Sequence, residues 1–350
     1  MRKVIAREAL MTYFVQAHEK IDGRMLWLFS QRPREYIFTN DLPETQSGDP
    51  TRRWHDLRGE WVYYNGARND RTYNPPAKYN PLAPVQPDGY PGEIPVTDFE
   101  VAVFDNRFPA LRHGIDSPGV DLPASGHCEV VVYSKADNGS LADYSDDHVA
   151  LLIDAWGHRV DYLLNKDTIF YAMPFENRGS QIGVTLPHPH GQIYAFSHTP
   201  PIIERQAMRQ AKSSVIERQL DKKNLRVTEH GRACTLVPEF ARYPFESWIL
   251  SEECGPSPSS WGSSRLDMAR ALKASVARLD RLFGEPMPLT MWIATAPKGY
   301  EDNWPCHIQI YPFLRGPKRL KYLASVEQMT GLMLSDVLPE TAAAKLREAS

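Results

Sequence analysis

Cysteine is scarce. Cys128, Cys234, Cys254 and Cys306 stand far apart in a chain of 350 residues, and no Cys-x-x-Cys pair occurs. That excludes a disulfide framework and a cysteine-rich zinc knuckle. No sign of charge is in surplus: 40 Lys and Arg against 43 Asp and Glu leave a formal net charge of -3. So balanced a chain argues against a nucleic-acid or anionic-membrane partner, while leaving room for a local cationic pocket for phosphates. No apolar run reaches the roughly 20 residues a membrane-spanning helix needs. The apolar run after Met1-Arg2-Lys3 is broken by Glu8 and Thr12, so no signal peptide is expected and a cytoplasmic location is the default. Proline, by contrast, is plentiful at 29 residues, many between 75 and 125 and between 197 and 201. Those stretches read as irregular but ordered loops. The length suits one large or two ordinary domains with an ample core.

The densest chemistry lies in Phe175 to Phe196, FENRGSQIGVTLPHPHGQIYAF. Residues that precede proline avoid the α region, so Leu186 and His188 are expected to be extended. Side chains two apart in an extended chain share a face, which sets His188, His190 and Gln192 side by side. Gly191 lets another group approach the backbone closely. Upstream, residues 177–181 and Gly183-Val184-Thr185 offer amide, hydroxyl and backbone N–H donors suited to phosphate oxygens. A neutral imidazole is a good nucleophile near pH 7 and can carry a covalent intermediate. Gln192 can donate to a phosphate oxygen as charge develops on it. Three other readings stand beside this one: His-Pro-His as a solvated turn, the histidines as metal ligands, or His190 as a satisfied core residue.

The rest of the chain reads as strands and a few helices. Strands are expected at 24–29 and 36–38, at 60–64 before the Asn65-Gly66 turn, at 99–104, and at 128–134. Ser145 caps an amphipathic helix running to Leu164, with His148 and His158 expected on its exposed side. A strand at 168–173 leads into a loop at FENRG. A helix is expected over 202–222, strands at 232–237, 247–251, 289–294 and 306–311, a helix at 267–283 ended by Gly284, and a last helix after Pro339. His307-Ile308-Gln309-Ile310-Tyr311 reads as a faint repeat of the segment from His188 to Tyr194, with Gln309 where His190 stands.

HPHGQIYAF preceded by FENRG resembles the active-site signature of the galactose-1-phosphate uridylyltransferases, a branch of the histidine-triad superfamily. A weaker resemblance runs from about residue 50 to about residue 345. It implies an α+β fold made of a duplicated histidine-triad-like unit, a mainly antiparallel sheet forming a half-barrel with helices packed on it. Residues 1–200 are then the half with the nucleophile motif, and 201–350 a degenerate half. It implies uridylyl transfer from UDP-glucose to galactose 1-phosphate, with His190 as nucleophile, Gln192 on the phosphate and His188 orienting His190.

By the same resemblance Arg68 and Arg71 contact phosphate, although a pair of solvated arginines is the competing reading. Asn106 meets the nucleotide. Asn177, Gly183, Val184 and Thr185 hold phosphates, Lys321 binds the sugar phosphate and Glu327 the sugar hydroxyls. A homodimer with shared active sites is implied. Relatives bind zinc through a Cys-x-x-Cys pair where this chain has Asn80 and Ala83, a histidine at a place near Asp137, and the counterpart of His188. Relatives with an iron-like metal use a glutamate and three histidines where this chain has Gln206, Ala294, His307 and Gln309. No metal and no cofactor are therefore expected. The alternatives are a nucleotide-sugar or dinucleoside polyphosphate phosphorylase or hydrolase, a nucleotidyltransferase with another sugar 1-phosphate, and a non-catalytic nucleotide-sugar binder.

Overall fold

The computed structural model describes residues 13–39, 48–70, 75–76, 79–85, 92–114 and 122–350. The chain divides into two units that interleave along the sequence. The first takes Met1–Gly139, Asp154–Pro174 and Thr185–Glu204, and the second takes Ser140–Ile153, Phe175–Val184 and Arg205–Ser350.

The first unit is built on β1 (Phe14–Glu19), β2 (Met25–Ser30), β3 (Thr51–His55), β4 (Glu60–Tyr64), β5 (Val101–Asp105), β6 (Leu122–Pro123) and β7 (Gly126–Val132). Helix α1 (Asp146–Leu164, which begins in the second unit), strand β8 (Tyr171–Arg178) and strand β9 (His190–Phe196) follow. The main sheet runs β1-β2-β5-β7-β9 and then the first half of β8, while β4-β3-β6 form a small separate sheet. The longest register in it is β7 on β9, antiparallel from Gly126↔Phe196 to Val132↔His190. Leu26, Leu28, Ile94, Phe99, Ala102, Phe104 and Val132 form a buried cluster in this unit.

Helix α1 starts as its sequence demands: Ser145 Oγ accepts the His148 N–H at 3.2 Å. Asp146 and Asp147 then complement the positive end of the helix.

The second unit takes the other half of β8, with β10 (Arg226–His230), β11 (Ala233–Leu236), β12 (Ser247–Ser251), β13 (Leu289–Ala294) and β14 (His307–Pro312). Its order is β8-β13-β14-β12-β11-β10. Its helices are α2 (Pro201–Ser213, which begins in the first unit), α3 (Glu217–Leu220), α4 (Arg265–Leu282), α5 (Ser325–Thr330) and α6 (Pro339–Glu348). Ala207, Leu236, Trp248, Leu250, Ala294 and Trp304 lie in its buried cluster. Helix α4 ends before Gly284, whose φ of +70° suits glycine. Both units are thus α+β, with antiparallel ladders from β1 through β2, β5 and β7 to β9 in the first and from β8 through β13, β14, β12 and β11 to β10 in the second. No described helix is long and apolar enough to cross a membrane.

The structure departs from the sequence expectations at several elements. Residues 36–38 form no strand. Tyr36 and Phe38 pack against the core cluster of the first unit, and Ile37 is exposed. The helix expected over 202–222 breaks at Ser214, a non-glycine residue at φ 44°. Strand β8 starts later than expected and runs through Phe175-Glu176-Asn177-Arg178, because those residues pair with β13. His148 and His158 are half-buried rather than exposed. His158 packs against the Phe29 ring at 5.3 Å, and burial pushes it down to about 4.

Candidate active site

His190 opens β9, whose residues alternate half-buried and buried. That period of two places His190, Gln192 and Tyr194 on one face of the sheet. His188 lies before the strand, fully buried. The expected row of three is therefore a pair on the strand face, with His188 tied elsewhere in the same unit.

Hydrogen bonds fix both imidazoles. His190 Nδ1 lies 2.7 Å from the His188 carbonyl oxygen. A carbonyl only accepts, so Nδ1 carries the proton, and in the neutral ring Nε2 keeps its lone pair. Burial is the largest influence on His190 and holds it below its ordinary value. The bond to the His188 carbonyl acts against this and the nearby His188 ring with it. The neutral, nucleophilic form is therefore the one present near pH 7. His188 Nε2 lies 2.7 Å from the Ser134 carbonyl oxygen, and its Nδ1 lies 2.9 Å from Asn80 Nδ2.

The same unit gathers Arg68 and the 106–108 loop beside β9. The Arg68 guanidinium donates to the Phe108 carbonyl at 2.8 Å and reaches the Tyr194 hydroxyl at 3.5 Å. Asn106 Oδ1 accepts the Phe108 N–H at 2.8 Å, so its side chain shapes this turn. Arg71 lies outside the described residues. Thr185 is half-buried and opens the last segment of the first unit.

In the second unit, Asn177 and Lys321 line one cavity of about 390 Å³, with Gln181, Thr290, Tyr322 and Gln328 among its other walls. Lys321 is buried and its Nζ pairs with Glu327 Oε1. The second oxygen of Glu327 accepts the Ala324 N–H at 3.1 Å, across the start of α5. Glu327 therefore spends both oxygens within the protein. Gly183 is exposed at φ 83°, and its N–H closes the preceding turn on Ser180 O at 3.0 Å. Val184 beside it is half-buried. Arg178 is not available for phosphate. It is ion-paired with Asp280 and donates to the Met287 carbonyl at 2.7 Å.

His188 and His307, which the resemblance sets among the metal-ligand positions, are both engaged within the protein. His188 has both ring nitrogens engaged, and Asn80 turns its amide nitrogen toward it. In the second unit Ala294 stands opposite His307 in the β13–β14 register. His307 Nδ1 lies 2.8 Å from Pro305 O, and its Nε2 lies 2.8 Å from Gln309 Nε2. Among the described residues no three His, Cys, Asp or Glu side chains converge as metal ligands would. Asn80 and Tyr194 were not legible as site residues. Only the alternation of HGQIY pointed to Tyr194, and Asn80 stood out solely as a residue that is not cysteine.

A family profile described as galactose-1-phosphate uridyl transferase, N-terminal domain, matches residues 40–200. The galactose-1-phosphate uridylyltransferase of Thermotoga maritima is 32% identical over 319 residues, covering 85% of this chain and 97% of that protein. That of Streptomyces lividans is 31% identical over 359 residues, 93% of this chain and 95% of that one. A solved uridylyltransferase structure superposes with a TM-score of 0.73 over 85% of this chain and 98% of its own, at 24% identity, which speaks to the fold. Identity above 30% sustained along nearly the whole of two relatives cannot come from a shared motif alone, and the chain belongs to the galactose-1-phosphate uridylyltransferase family.

Proposed function

We propose that the protein moves a uridylyl group from UDP-glucose to galactose 1-phosphate by a ping-pong reaction on His190. The observation that carries this reading is the bond from His190 Nδ1 to the His188 carbonyl, which leaves Nε2 as the unprotonated nitrogen. The Nε2 lone pair attacks the α-phosphorus of UDP-glucose. The bond from that phosphorus to the bridging oxygen breaks, and glucose 1-phosphate leaves with the electron pair. Its phosphate carries the charge, so no general acid is needed. The Nδ1–H stays on the ring, and the His188 carbonyl stabilises the cationic character of the adduct. Gln192, on the same strand face, donates to a non-bridging oxygen. A phosphate oxygen of galactose 1-phosphate then attacks the phosphorus and displaces Nε2, which restores the free ring.

In this reading Arg68, Arg71 and Asn106 serve the nucleotide, and Asn177, Gly183, Val184, Thr185 and Lys321 serve the phosphates. Glu327 holds Lys321 and the start of α5, in addition to any part in sugar binding. Residues 1–200 form the nucleophile-bearing half of a duplicated unit and 201–350 the degenerate half. Two copies of the chain share their active sites.

The test is the intact mass of the protein mixed with UDP-glucose, and separately with ADP-glucose, without acceptor. A uridylyl adduct that galactose 1-phosphate discharges is expected, and His190→Gly should abolish it. An adenylyl adduct discharged by phosphate replaces this reading with a nucleotide-sugar phosphorylase. A uridylyl adduct undiminished in His190→Gly would sink the mechanism.

A further inference from the structure

We infer that Asn80 is a positioning residue, whose carboxamide fixes the tautomer of His188 and through the His188 carbonyl aims His190, and that neither His188 nor His307 offers a ring nitrogen to a cation. The part concerning turnover rests on the function proposed above.

The orientation of the Asn80 amide is set independently of the histidine. Its Oδ1 accepts the Leu82 N–H at 3.0 Å, so Nδ2 is the atom 2.9 Å from His188 Nδ1. An amide NH2 only donates, and therefore Nδ1 of His188 is the acceptor. At the other side of the ring, Nε2 meets the Ser134 carbonyl at 2.7 Å, which only accepts. Two separate constraints thus demand the same neutral ring, protonated on Nε2 alone. The ring is fully buried and pinned on both sides, so the carbonyl of the same residue is held against His190 Nδ1. For metal-bound imidazoles an outer group that orients the ring is commonly worth about 10- to 100-fold in affinity or activity, and an effect of that order is expected here.

The second unit repeats the device with the opposite tautomer. Gln309 Oε1 accepts from Trp292 Nε1 at 3.1 Å and from the Tyr311 hydroxyl, which turns the amide nitrogen toward His307 Nε2 at 2.8 Å. His307 Nδ1 then donates to the Pro305 carbonyl. In both units a carboxamide and a backbone carbonyl occupy the two ring nitrogens, leaving no lone pair for a metal.

The experiment is a long-range proton–nitrogen correlation spectrum of the full-length protein labelled with nitrogen-15 histidine, recorded before and after chelator treatment and after adding zinc. The expected spectrum has His188 protonated on Nε2 only, His190 and His307 on Nδ1 only, and none of the three moved by zinc. A His188 proton on Nδ1, or a zinc-induced shift of His188 or His307, overturns the inference. Asn80→Leu should lose the His188 pattern and reduce kcat about tenfold or more, with KM for UDP-glucose nearly unchanged. Full kcat in that variant also overturns it. Should the variant fail to fold, the wild-type spectrum still decides. The stated tautomers in a protein that forms no nucleotide adduct uphold the hydrogen-bond inference and reject the proposed reaction instead.

Discussion

Replacing Arg159 by methionine tests how strand β9 is supported. Arg159 and Glu129 are each about 1% exposed, and the guanidinium meets the carboxylate through Nε at 3.1 Å and Nη2 at 2.7 Å. The guanidinium also lies 3.4 Å from the Trp27 ring centroid and 4.4 Å from that of Tyr162. Glu129 sits on β7 opposite Ile193 of β9 and Asp105 of β5. Taking away one partner of a buried ion pair costs about 3–5 kcal/mol, because the other charge is left bare. Losing the ring contacts adds about 1 kcal/mol. That is a large share of the roughly 5–15 kcal/mol that holds a domain together.

The variant should also be pH-dependent. Asp105 is already pushed up to about 6, first by burial and then by Glu129, while Arg159 opposes this. Without Arg159 the native state holds carboxyl protons that the unfolded chain has released. Stability of the variant therefore falls as pH rises from about 4 through and beyond 6. Urea unfolding of the wild type, Arg159→Met, Glu129→Gln and the double variant measures this. The double variant should recover about 2 kcal/mol relative to the sum of the single losses. A loss below about 1 kcal/mol for Arg159→Met, or strict additivity, refutes the argument.

His307 predicts acid sensitivity in the second unit. Burial lowers it from 6.5 to about 4, so its contribution is present above pH 6.5 and is lost as pH falls toward 4. The unfolded chain takes up a proton that the folded one refuses, worth up to about 3 kcal/mol at about 1.4 kcal/mol per unit. Urea midpoints at neutral and acid pH should show that slope, reduced in His307→Gln. For Lys321→Met, the KM for galactose 1-phosphate should rise about tenfold or more, with uridylyl adduct formation from UDP-glucose unchanged. Equal damage to both half-reactions would mean that Lys321 does not serve the acceptor.

Strand β9 was legible because its signals are local. Prolines at 187 and 189 force extension, and the HGQIYAF alternation survives intact as the burial pattern of β9. What was not legible depends on partners distant in sequence. Phe175 to Arg178 looked like loop because Glu, Asn and Arg are poor strand formers. They are strand because β13, more than a hundred residues later, supplies the ladder. Arg178 lies in the stretch read as a source of phosphate donors, and its guanidinium is claimed by Asp280, about a hundred residues later. The helix after Pro201 kept its apolar spacing across Ser214, and only the backbone there breaks it. Asn80 could be read as an absent ligand but not as a donor, since donating requires His188 to be 2.9 Å away.

The two histidine–amide pairs bear on which unit can do chemistry. In β9 the residue two beyond the pinned histidine is His190, with one nitrogen bound to a carbonyl and the other keeping a lone pair. In β14 the residue two beyond His307 is Gln309, which is buried, and its amide is consumed by Trp292, Tyr311 and His307. An amide nitrogen has no available lone pair, so Gln309 cannot take a nucleotidyl group even where a substrate could reach it. A buried glutamine with its donors and acceptors satisfied does a different job: it orders the strand pair β13–β14, on which the second half of β8 and Asn177 are built. On the proposed mechanism His190 is accordingly the nucleophile to look for among the described residues, and an adduct mapped to any described residue of the second unit would contradict this division of labour.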